Sequence, residues 1–95
     1  MTEIVEVLDG NTILARYIPK IEMKKPGLNF YSDDREFIQF GVWGYDAGKI
    51  LPAHIHNSVE RTNEKTQEAL FVQRGKIKAQ IYNFEEVKIK ELIIS

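Results

Sequence analysis

Gly48-Lys-Ile-Leu-Pro-Ala-His54-Ile-His56 and, after a polar interval, Glu68-Ala-Leu-Phe-Val-Gln-Arg-Gly75 decide how this chain is read. Both histidines of the protein lie in the first segment, two residues apart. Side chains in an extended strand repeat every second residue, so the reading puts His54 and His56 on one face, about 6.5–7 Å apart along the chain. One metal ion fits between two such imidazoles. Glu68 opens the next apolar-alternating segment and adds a hard oxygen ligand. Two histidines and one carboxylate suit Fe(II), Mn(II), Ni(II) or Zn(II).

Working outward, the pattern of Gly48, five residues, His54-x-His56, then Glu68, six residues and Gly75 resembles the first sequence motif of the cupins, which are small β-barrel proteins. In that family the glutamate follows the second histidine after three or four residues. Here eleven intervene, Asn57 to Gln67. Glu60 sits at the shorter distance, but its following segment reaches Gln67 where the motif has a glycine, whereas Glu68 leads through Leu70 and Val72 to Gly75. Glu68 is therefore the favoured ligand and Glu60 the alternative.

The resemblance spans about residues 36 to 94 and implies an all-β jelly roll. A cupin carries a second motif, with a third metal-binding histidine, after a strand such as Val87 to Ile94. This sequence stops at Ser95 and holds no third histidine. The expectation is a single cupin-like domain over residues 1–95, incomplete at its C-terminus, with either a reduced metal shell or a missing end.

Ninety-five residues suffice for one domain with one modest core. A composition of 43% hydrophobic and 28% charged residues is that of a globular chain rather than a disordered one. The formal charge of −1 gives no field to draw in a polyanion, so neither nucleic acid nor an anionic membrane is an expected partner. With no cysteine, disulfides and thiolate ligands drop out. The acidic N-terminus does not look like a secretory signal, no apolar stretch approaches the roughly 20 residues that cross a bilayer, and the expected compartment is the cytosol.

In chain order, Ile4 to Leu8 and Thr12 to Ile18 flank Asp9-Gly10-Asn11 and read as a β-hairpin, ended by Pro19. Met23 to Gly27 reads as a loop whose two lysines are solvated. Glu36 to Tyr45, rich in aromatic and β-branched residues, is the clearest strand expectation, with Trp43 and Tyr45 assigned to core packing before a cofactor cleft. Lys49 to His56 is an edge strand, irregular at Pro52. Asn57 to Gln67 is a long polar loop at the mouth of the site.

Glu68 to Gln73 and Lys76 to Tyr82 are expected to pair across Arg74-Gly75, which would turn Glu68 inward with Leu70 and Val72. An inward carboxylate is costly unless it is paired or bound to metal. The apolar end Leu92-Ile93-Ile94 is a sticky edge that a second subunit would cover, making a homodimer the expected state.

Function follows from the site. Read as an enzyme, the chain would hold a divalent metal on His54, His56 and Glu68 and act on a small polar molecule. Cupins include dioxygenases, isomerases and epimerases, so the resemblance does not choose a reaction. Tyr45 and Tyr82 are the available acid/base side chains. The alternatives are a non-catalytic barrel that binds a small ligand or partner without metal, and an incomplete cupin stable only as an intertwined oligomer.

Overall fold

The computed structural model describes residues 3–95. Its regular elements are β1 (Val5–Asp9), β2 (Thr12–Tyr17), a 3-10 helix (Lys20–Lys24), β3 (Gly27–Phe30), β4 (Gly41–Gly44), β5 (Ile77–Tyr82) and β6 (Lys88–Ile94). The strands pair antiparallel as β1–β2, β3–β4 and β5–β6. The chain is thus all-β, as expected, but the three two-stranded sheets form no closed barrel among the described residues. Two compact units result, one made of residues up to Glu22 together with Ala69–Ser95, the other of Met23–Glu68.

In the first unit the β1–β2 hairpin turns through Gly10-Asn11. Glycine takes the first central position at φ 58°. That is the place where a type II′ loop needs a residue without a β-carbon. Val5 faces Tyr17 and Val7 faces Ala15, while Glu6 and Arg16 pair on the opposite face at 3.2 Å. A bulge after Val7 leaves Leu14 without a cross-strand partner, and Leu14 joins the core.

The β5–β6 hairpin follows the same logic. Ile77, Ala79 and Ile81 alternate inward and face Ile94, Leu92 and Lys90, whereas Gln80 and Glu91 bond each other on the outer face at 3.0 Å. Val7, Tyr17 and Leu92 form the buried core, with Val5, Leu14, Ala15, Ala79, Ile81 and Ile94 packed on them. Each fully buried aliphatic side chain contributes about 1.5–3 kcal/mol, so a core of this size gives modest stability.

The turn between β5 and β6 is built by Asn83. Its Oδ1 accepts from the backbone N–H groups of Glu85 and Val87, both at 3.0 Å, and its own N–H donates to the Val87 carbonyl at 3.0 Å. Closing the turn places Glu86 at φ 65°, in the left-handed region.

Several expectations need correction. Lys76 to Tyr82 was expected to pair with Glu68 to Gln73, but it pairs with β6 instead. The reason is the apolar face: Leu92 opposite Ala79 becomes 3% exposed, a burial that the Glu68–Gln73 pairing does not provide. The C-terminal apolar strand therefore finds a partner strand within its own chain. Residues 68–73 contain no strand, and Leu70 and Phe71 stand in solvent.

The expected strand Glu36–Tyr45 contracts to Gly41–Gly44. Residues 32–40 form a loop because local polar groups take over the ladder. Ser32 Oγ accepts from the Phe40 N–H at 2.8 Å, and Asp33 Oδ1 accepts from the Arg35 N–H at 2.9 Å. Asp33 also bonds the Arg35 guanidinium at 3.2 Å, pushing its pKa up from the ordinary value. The partner of β4 is β3, of which only Gly27 is assigned from sequence, to a loop. Leu28 lies opposite Trp43 and Phe30 opposite Gly41, so Leu28, Phe30 and Trp43 share one face. All three are exposed, Trp43 by 59%, which reverses its assignment to the core.

Candidate metal centre

After β4 the chain turns at Asp46–Lys49, where the Lys49 N–H donates to the Asp46 carbonyl at 3.3 Å and Gly48 adopts φ 91°. The expected strand Lys49–His56 does not form: these residues carry no regular structure. Pro52 removes one ladder donor, and no neighbouring strand is paired with the segment.

His54 and His56 are nevertheless neighbours. Their ring centroids are 5.2 Å apart with planes at 70°. Irregular backbone brings the rings closer than the strand repeat of about 6.5–7 Å would. Both histidines are exposed, and Ile55 between them is 92% exposed. His54 Nδ1 lies 3.5 Å from the Pro52 carbonyl, at the long limit of a hydrogen bond. With its proton on Nδ1, His54 donates there and keeps the Nε2 lone pair for a ligand.

Elementary coordination geometry tests whether the pair fits an ion. A Zn–N bond of about 2.0–2.1 Å puts an imidazole centre about 3.2 Å from the metal, so two rings at a tetrahedral angle stand about 5.2 Å apart. The observed separation is the same, 5.2 Å. The separation of the ring centres is thus the one that two imidazoles on a shared tetrahedral ion would have, and it is equally that of an edge-to-face ring contact.

The carboxylate is another matter. Glu68 lies exposed in residues without regular structure rather than inward on a strand, so the cost of burying it is not incurred. Glu60 is exposed as well. Among the described residues no group of three His, Asp or Glu side chains is gathered that could hold a metal ion. The structure brings the two histidines together and leaves Glu68 and Glu60 outside such a group.

The polar loop after His56 has one anchor that the sequence reading missed. Arg61 donates from Nε to the Glu36 carbonyl at 3.1 Å and from its terminal nitrogen to the Asp34 carbonyl at 3.2 Å. Backbone acceptors 25 and 27 residues away leave no signature in a local pattern. Tyr45 lies under the Lys49 ammonium, 5.2 Å from ring centre to nitrogen, and Tyr82 is exposed at the end of β5. In the first unit a shallow hollow is lined by Leu70, Phe71, Val72, Arg74 and Ile77.

No helix among the described residues is long and apolar enough to cross a membrane. No protein-family model, curated protein or solved structure matches the chain. What the fold and the site define together is a class only: a β protein of paired antiparallel strands that presents an exposed histidine pair on irregular backbone.

Proposed function

We propose that the chain binds a divalent transition metal through His54 and His56. The observation that supports this is the 5.2 Å separation of the rings, which suits a shared tetrahedral ion. Imidazole ligands are compatible with Zn, Ni and Fe, and a carboxylate would extend the range to Mn. With the proton on Nδ1, 3.5 Å from the Pro52 carbonyl, His54 would offer Nε2 to the ion.

In the cupin-type form of this proposal Glu68 supplies the carboxylate. The bound metal would then furnish a Lewis acid or an oxygen-activating centre, in chemistry of the dioxygenase or isomerase type on a small polar molecule. A second reading, a β scaffold that binds a small ligand or partner without metal, is favoured by the exposed face of Leu28, Phe30 and Trp43.

Metal analysis of untagged wild type and His54→Ala, each equilibrated with Fe(II), Mn(II), Ni(II) and Zn(II) and then desalted, tests the proposal. Wild type is expected to retain metal and the variant to lose it. Equal, near-zero metal in both leaves the scaffold reading.

A further inference from the structure

Two imidazoles complete half of a tetrahedral shell, and the described residues of the same chain gather no third ligand with them. We infer that the other half comes from a second copy: His54 and His56 of two chains clasp one ion on a two-fold axis, making the protein a metal-bridged dimer. This deepens the metal-binding reading and rests on it.

Three observations carry the inference. First, the ring centres stand 5.2 Å apart, the separation that two corners of a tetrahedral ion call for, and an identical pair related by two-fold symmetry would present the same separation to the other two corners. Second, the pair is accessible. Both histidines are exposed, and so are Ile50 and Ile55, at 85% and 92%. Those two isoleucines are the kind of apolar surface that an interface covers. Third, a formal charge of −1 sets up little repulsion between copies.

Each imidazole enters as the neutral ring, donating a nitrogen lone pair and displacing a water from the ion, with no change of oxidation state. Two chains meeting at one ion give an isologous contact that closes on itself, so a dimer forms rather than a filament. Glu68 has no part in this shell.

The test is a titration of the full, untagged chain with Zn2+ alone, followed by light scattering and native mass spectrometry. The mass is expected to rise from 11.0 kDa to twice that, saturating at one Zn2+ per two chains. His54→Ala and His56→Ala are expected to stay at the lower mass, and Glu68→Gln to dimerise like wild type. Because both histidines are exposed, their removal leaves folding intact, which circular dichroism of the variants verifies. Co2+ in place of Zn2+ is expected to give the intense visible bands of a tetrahedral ion, absent in either variant.

One Zn2+ bound per chain at the lower mass would overturn the dimer while upholding metal binding. Loss of Zn2+ on Glu68→Gln would overturn the four-imidazole shell in favour of the cupin-type one. A wild type that takes up no Zn2+ would remove both readings. A doubled mass without Zn2+, unchanged by His54→Ala, would show that dimerisation has another cause.

Discussion

The ring of Phe30 occupies the space that a side chain at Gly41 would need: a β-carbon there would stand 2.8 Å from Phe30 Cδ1 and 3.1 Å from the Asn29 carbonyl oxygen. Gly44, opposite Gly27 at the other end of the pair, meets the Lys25 carbonyl still more closely. An aromatic ring can swing aside, but backbone cannot. Gly44→Ala is therefore expected to cost more than Gly41→Ala, about 3 against about 1 kcal/mol. The difference is read from urea unfolding followed by Trp43 fluorescence, and equal costs would contradict it.

Leu92 is the most buried side chain of a core formed by three residues. Leu92→Ala is expected to cost about 2–4 kcal/mol in denaturant unfolding. Ile93, next in sequence but on the outer face opposite Lys78 and half exposed, gives the contrast: Ile93→Ala is expected to stay within about 0.5 kcal/mol. A comparable loss at both positions would mean that the two faces of β6 are not distinguished.

Glu86 is the only non-glycine with positive φ among the described residues. A left-handed residue with a β-carbon carries roughly 1–2 kcal/mol of strain, and glycine removes it at an entropic cost of about 0.5–1 kcal/mol. Glu86→Gly should raise stability by about 0.5 kcal/mol, whereas Asn83→Ala, which strips the acceptor of two backbone N–H groups, should lower it by about 1 kcal/mol. Thermal unfolding of the two variants is expected to shift in opposite directions.

Arg61 ties the polar loop to the Asp34–Glu36 turn through two backbone carbonyls. With Arg61→Ala, amide exchange and proteolysis within residues 57–67 are expected to accelerate severalfold while the protection of β5 and β6 is unchanged. Lys is a partial substitute only, because an ammonium cannot span both acceptors with the geometry of a guanidinium.

Metal capture by the histidine pair requires neutral imidazoles, so protons compete with the ion. Acidification is expected to release Zn2+ from wild type and to return its melting temperature to that of the metal-free protein. For an ion held by one chain, a hundredfold excess of Zn2+ over its dissociation constant would add about 2.7 kcal/mol, whereas an ion shared by two chains makes the gain depend on protein concentration. His56→Ala is expected to show neither the gain nor its loss on acidification.

What was legible in the sequence follows the range of the interactions responsible. The β1–β2 hairpin could be read because Asp9-Gly10-Asn11 forces a local turn between two apolar runs, and the inward alternation of Ile77, Ala79 and Ile81 could be read because period two is intrinsic to a strand. The closeness of the two histidine rings comes from their adjacency in the chain and not from the expected strand repeat, since Lys49–His56 forms no strand. The companion carboxylate was not legible, since it depended on Glu68 lying on a strand that does not form.

The partners of β4 and β5 were decided by tertiary structure. Lys76–Tyr82 had an acceptable neighbour on either side, and the choice fell to the one that buries Leu92 against Val7 and Tyr17. Gly41–Gly44 kept its strand only where Gly27–Phe30 could approach, while Ser32 and Asp33 drew the residues before it into a loop. Turn chemistry and alternation are written in adjacent residues, whereas partner choice is a competition for buried apolar area between segments far apart in the chain. Only the folded arrangement resolves that competition.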